Sequence, residues 1–242
     1  MTALRKRSVA LSPQRARLMN GMLETVGAQG YKAALIATVL HRTGISWPTF
    51  LDHFPDKRTC YLEAFDTTVA EIQDSAIASA NQQGSWCAKL QAGLAVVLTF
   101  LDSKPEVGRA LVVEAGVAGA AAIARRDRAL EAVTDFIQTA RLDPQSLPSP
   151  PGIAAAGIAG SMFSVVHRRL SRKSGDSLTQ LLPELTYLAA LPYFGVDEAN
   201  VARKHPKGSP GGDLAAPPGP GIQPDLLIET TGTVIDVTAS FI

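Results

Sequence analysis

The chain has 242 residues, a net charge of +1 and hydrophobic side chains at 46% of its positions, which suits one large or two small domains with a sizeable core. That excludes a disordered chain or a bare linker, and Cys60 and Cys87 alone exclude a disulfide framework and point to a reducing compartment. The opening MTALRKRSVALSPQ lacks an apolar run of signal-peptide length, and no uncharged apolar stretch reaches the roughly 18 to 20 residues that a bilayer requires, so a cytoplasmic chain without a membrane partner is expected.

Charge is spread unevenly. Arg5, Lys6, Arg7, Arg15, Arg17, Lys32, Arg42, Lys57 and Arg58 precede residue 60, against Glu24, Asp52 and Asp56. Such a segment attracts phosphate through counterion release, although basic arms also occur on proteins that never meet nucleic acid. After Pro13, the face Leu18, Met22, Leu23 and Val26 predicts a first helix that Gly27 and Gly30 bring to an end. Leu35, Ile36, Val39 and Leu40 recur at three- and four-residue intervals and predict a short second helix, stopped by a tight turn at Gly44. Ser46 is placed to cap a third helix by accepting from a backbone N–H two or three residues on, which leaves Trp47, Pro48 and Thr49 in its exposed first turn. Pro48 is acceptable there, because that N–H has no partner within the helix. A short helix, a glycine turn and a second helix opening on serine have helix-turn-helix spacing, and the first turn of the second helix is what such a unit presents to base edges in the major groove.

The segment GYKAALIATVLHRTGISWPTFLDHFPDKR at 30–58 resembles the N-terminal domain of tetracycline-repressor-type (TetR-family) transcriptional regulators. The residues that carry the resemblance are Gly30, Val39-Leu40, Thr43-Gly44-Ile45-Ser46, Thr49-Phe50-Leu51, His53-Phe54 and Lys57. Three positions depart from the family pattern: Ala34 stands where a capping Thr is usual, Pro48 where Gly is frequent, and Leu51 where a Tyr contacts a phosphate. The resemblance implies a homodimer on a double-stranded operator, with Arg5, Arg7, Lys32, Arg42, Ser46, Trp47, Pro48, Thr49, His53 and Lys57 as candidate DNA-binding residues. His53 is read as a phosphate donor or a solvated surface histidine. Lys57 is read as a phosphate anchor at a helix start or an ordinary exposed lysine. The Trp47 indole either reaches the groove or packs back on the head, whereas Phe50 and Phe54 are expected in the core.

Asp56 can cap a long helix whose apolar stripe carries Tyr61, Leu62, Phe65, Val69, Ile72 and, at its end, Ile77, with no stop before Gly84, so that it joins head to body. Further helices are predicted at about 87–102, 105–117, 120–141, 152–173 and 177–191, and strand-like alternation is nearly absent. LDPQSLPSPP at 142–151 is a proline-rich break, and 205–224 is rich in Pro and Gly. From Asp225 to Ile242 two short strands are compatible with the pattern, on a tail that is flexible unless docked. The expectation is an all-α chain: a helix-turn-helix DNA-binding domain at 1–58, a helical regulatory and dimerisation domain at 59–195, and a linker with a Pro/Gly-rich C-terminal tail at 196–242.

Trp86, Phe100, Phe136, Phe163 and His167 are candidate ligand-binding residues in the body, against the alternative that an apolar helical stripe is plain core. The resemblance implies a small apolar or amphipathic effector there, and a dimer interface on 152–173 and 177–191, where GIAAAGIAGSMFSVV lets backbones approach closely. The four histidines have no Cys or acidic residue at metal-ligand spacing, and no nucleophile elbow, dinucleotide motif or Walker pattern occurs, so neither metal nor cofactor is expected. The reading is a DNA-binding regulator, most simply a ligand-released repressor. Its rivals are a TetR-like interaction module without specific DNA reading and, last, a small-molecule enzyme using the body cavity.

Overall fold

The structure is a computed structural model that describes residues 12–147, 150, 152–172 and 175–204. The Arg5 and Arg7 arm and the 205–242 tail lie outside the described residues. All regular structure among those described is helical: α1 Pro13–Gln29, α2 Ile36–Thr43, α3 Trp47–His53, α4 Lys57–Asn81, α5 Trp86–Ser103, α6 Pro105–Val112, α7 Ala120–Gln138, α8 Ala154–Arg172 and α9 Leu182–Lys204.

Local chemistry sets the helix starts. Ser12, Ser46, Asp56 and Ser85 each accept from the backbone N–H three residues on, opening α1, α3, α4 and α5, and Pro13 and Pro105 occupy first-turn positions where a missing N–H costs nothing. α2 stops at Gly44, whose φ of 65° is left-handed and whose N–H returns to the Leu40 carbonyl at 2.9 Å. The N-cap of α2 is Leu35, 62% exposed and with no side-chain cap, while Ala34 is buried beneath it.

The head core is Leu18, Met22, Val26, Val39, Phe50 and Phe54, all fully buried. Phe50 and Phe54 face inward as their spacing from Ser46 requires. α4, roughly 37 Å long at 25 residues, leaves the head through buried Cys60, Tyr61 and Phe65 and continues against α5. α1 lies on α6 so closely that a Cβ on Gly27 would stand 1.7 Å from the Glu106 carbonyl oxygen.

The last helix corrects the expected boundary. The linker predicted from residue 196 does not begin there: the chain breaks direction at Gly195, with φ 77°, three residues after Pro192, and then coils again to Lys204. Ala199 and Ala202 are buried, and the Gln91 side-chain amide donates to the Ala202 carbonyl. Pro192 and Gly195 are stop signals by composition, but packing against α5 offsets the local penalty.

Candidate nucleic-acid interface and body cavity

α3 exposes Ser46, Trp47, Pro48 and Leu51. Ser46 Oγ accepts from the Thr49 N–H at 3.3 Å and lies 2.9 Å from its hydroxyl, which holds the first turn in register. The Trp47 indole is 49% exposed while its ring centre stays 6.2 Å from that of Phe50, so it leans on the head and keeps a free face. Lys32 is exposed, Arg42 pairs with Glu24 at 2.8 Å and is half exposed, and His53 is half-buried with its carbonyl accepting from Arg15 at 2.8 Å.

Several cations near this surface hold the head together. The Arg15 guanidinium lies 4.4 Å from the Phe54 ring centre and pairs with Glu63 as well as reaching the His53 carbonyl, so one side chain joins α1, α3 and α4. Arg17 donates to the Thr43 carbonyl at the end of α2. A cation at a carbonyl-rich helix end is favourable, but these partners lie tens of residues away and no local pattern announces them. Lys57 differs from both sequence readings. Its ammonium turns into the α1–α2 connection, donating to the Tyr31 and Ala34 carbonyls at 2.8 and 3.0 Å beneath the Tyr31 ring, and so keeps one N–H at most for anything outside.

A cavity of about 210 Å³ opens in the body between α4, α5, α6, α7 and α8, with Leu185 of α9 beside it. Of the predicted ligand-binding residues only Phe163 lines it. Trp86 and Phe136 are instead stacked at 5.8 Å, with Trp86 buried against Tyr193 and Phe194 and its Nε1 donating to the Thr139 hydroxyl at 3.2 Å. Phe100 is 4% exposed in the core, and His167 packs on Phe163 at 5.7 Å without lining the cavity. The cavity draws instead on the apolar stripe of the connecting helix, Val69 and Ile72 of α4 among it, because periodicity marks a buried face without telling whether that face meets protein or space.

The cavity and the head share two physical links. α4 lines the cavity with Phe65, Val69, Ile72 and Gln73 and begins at Lys57 beneath the α1–α2 connection. α6 lines it with Leu111 and Val112, while Arg109 two residues earlier donates to the Gly27 carbonyl at 3.1 Å and to the Leu170 carbonyl at 2.5 Å. Glu114 then accepts from the Tyr31 N–H at 2.9 Å, and the Tyr61 hydroxyl donates to the Ala110 carbonyl at 2.8 Å. Among the described residues no group of three or more His, Cys, Asp or Glu is placed to hold a metal, and no single helix is long and apolar enough to cross a membrane.

These features define a three-helix helix-turn-helix head on a helical body with an open apolar cavity between its helices. No protein-family model matches the sequence, and no curated protein matches it significantly. Solved structures do match. The fatty acid degradation regulator FadR from Bacillus halodurans is similar over 74% of this chain and 95% of its own, at 14% identity and a TM-score of 0.67. The transcriptional regulator FadR from Bacillus subtilis, solved in complex with stearoyl-CoA, is similar over 74% and 98% at 11% identity and a TM-score of 0.64. TylP, a TetR regulator from Streptomyces fradiae, is similar over 78% and 89% at 17% identity and a TM-score of 0.60. The chain has the all-α fold of the TetR-family transcriptional regulators.

Proposed function

We propose that the chain is a cytoplasmic, homodimeric DNA-binding transcriptional regulator and not an enzyme, most simply a repressor that a small apolar or amphipathic effector releases from a near-palindromic operator. The observation that carries the reading is the exposed, Ser46-capped first turn of α3 on a head whose α1 and α4 are tied to the walls of an apolar cavity. The head is residues 1–58, and the regulatory body runs from 59 to the end of α9 at Lys204. Trp47 and Thr49 read bases, while Ser46, Pro48, Lys32, Arg42, His53 and the Arg5 and Arg7 arm supply positioning contacts.

Support for the dimer comes from α8, where Ala156, Gly157, Gly160, Ser161 and Ser164 form an exposed face and nothing lies within 4 Å of a Cβ built on Gly157 or Gly160. Residues this small let a second copy's backbone approach. Support for an effector comes from the cavity and from the stearoyl-CoA complex of a similarly folded regulator. Occupancy would favour one arrangement of α4 against α6, and the two recognition helices would leave the roughly 34 to 36 Å separation that successive major grooves require.

A second reading, an interaction module with weak DNA contact, is favoured by the exposed apolar Leu35, Trp47 and Leu51 and by the inward turn of Lys57. A salt series on a selected DNA sequence separates the two. A regulator keeps its sequence preference while affinity falls steeply with salt, and a module shows no preferred sequence.

A further inference from the structure

Nineteen residues line the body cavity, and only Gln73 and Arg126 among them are polar. The Arg126 side chain is 26% exposed and the cavity wall is almost wholly apolar, so the stem of Arg126 lines the cavity while its guanidinium lies at the rim. Its central carbon lies 5.5 Å from the Phe163 ring centre, and Nε and one terminal nitrogen donate to the Asp127 carboxylate at 3.0 and 2.7 Å. Asp127 is the adjacent residue and half exposed, a pairing that contributes little and is readily exchanged. The remaining terminal nitrogen points towards Gly116, 3.9 Å from where a Cβ would stand. The lining is dominated by branched aliphatic side chains, and 210 Å³ corresponds to roughly seven waters at liquid density. That admits an unbranched chain on the order of eight carbons and falls below the roughly 300 Å³ at which drug-sized sites begin.

We propose that Arg126 is the head-group anchor of the cavity and that the cavity's ligand is a monoanionic medium-chain aliphatic amphiphile, with its carboxylate on the guanidinium and its chain among Val69, Leu98, Leu130 and Met162. The proposal rests on the reading of this cavity as the effector site. Charge and shape both select the ligand: a neutral chain leaves the guanidinium without a new partner, and a cationic head is repelled by it. Arginine suits the task because its fixed fork holds a carboxylate through two parallel hydrogen bonds while the group stays beside Phe163.

The test is calorimetric titration of the full chain, without DNA, with octanoate, 1-octanol and octylamine. Octanoate should bind about tenfold or more tighter than 1-octanol, since a charge-assisted hydrogen bond contributes at that level, and octylamine should bind least. Arg126→Gln should remove that advantage and leave 1-octanol unchanged, Arg126→Lys should restore part of it, and Met162→Trp should abolish binding of both by filling the space. Equal affinity of the wild-type chain for octanoate and 1-octanol, or octanoate binding indifferent to Arg126→Gln, overturns the proposal. Absence of octanoate binding at millimolar concentration does the same. Should Arg126→Gln fail to fold by circular dichroism, the wild-type comparison and Arg126→Lys decide. DNA binding of the ligand-free chain is measured separately: its absence alongside tight octanoate binding counts against the regulator and leaves the ligand assignment standing.

Discussion

Arg109 donates through Nε to the carbonyl oxygen of Gly27 at 3.1 Å, and Gly27 is a glycine because the Glu106 carbonyl occupies the place of its Cβ. One contact thus fixes the end of α1 to the first turns of α6, and with it the head to a helix whose next turn lines the cavity. Gly27→Ala should force α1 and α6 apart and destabilise the chain by about 3 kcal/mol or more. Arg109→Gln keeps the close approach and loses charge-assisted bonds to Gly27 and Leu170, so it should cost about 1.5 to 3 kcal/mol and weaken the effect of ligand on DNA affinity. Urea denaturation and anisotropy titrations with and without ligand measure both; an Arg109→Gln chain of unchanged stability and coupling would show the contact to be incidental.

Lys57→Ala separates a tether from a phosphate anchor. With the ammonium bonded to the Tyr31 and Ala34 carbonyls, its removal should lower head stability by about 1.5 to 3 kcal/mol. The salt slope of DNA binding should stay the same, whereas loss of a phosphate contact would reduce it by about one.

Trp47→Ala should reorder the affinities of operator variants by about 1 to 3 kcal/mol per altered base pair, because half the indole is free of the head. Melting temperature should change little. Intact operator ranking with a destabilised head would mean that the indole serves packing on Phe50.

Asp102 accepts from the Ser177 hydroxyl and the Leu178 and Thr179 N–H groups, tying the end of α5 to the connection between α8 and α9. Burial pushes its carboxyl up, but these hydrogen bonds outweigh burial and hold it below the usual aspartate range. A carboxyl depressed in the folded state adds stability that is present above its unfolded value of about 3.9 and is lost as pH falls through the folded one. Asp102→Asn should therefore cost about 1 kcal/mol at pH 7, discounted for partial exposure, and the difference from wild type should shrink below about pH 4. Thermal melts at pH 7 and pH 3 measure it.

Gly160→Arg places a long cation on the exposed small-residue face of α8. With open space around Gly160 in one subunit, the folded monomer should tolerate it, while a dimer built on that face should lose several kcal/mol. Sedimentation should show a monomer, and a surviving dimer would move the interface off α8.

Helix order and most helix starts were legible in the sequence because they depend on residues three or four apart: a serine or aspartate cap, a first-turn proline, Gly44 in the turn. The HTH unit was legible for the same reason. What local patterns concealed depends on distant partners. Lys57 finds carbonyls more than twenty residues back, Trp86 stacks on a ring fifty residues ahead, and the turns beyond Gly195 exist because Gln91 and its neighbours receive them. Large aromatic residues suggest a cavity in the sequence, yet Trp86, Phe100 and Phe136 fill space, and the opening falls where aliphatic chains leave it.

Selection of bound fragments from random duplex DNA by the purified full chain, followed by anisotropy on the enriched sequence at several salt concentrations, decides whether the Ser46-capped helix reads an operator. A regulator should enrich a near-palindromic sequence whose half-sites lie one helical turn apart, bound about a thousandfold or more tighter than unrelated DNA, with both affinities falling steeply as salt rises. Recovery of no enriched sequence, with weak binding that is indifferent to base composition, would contradict that reading.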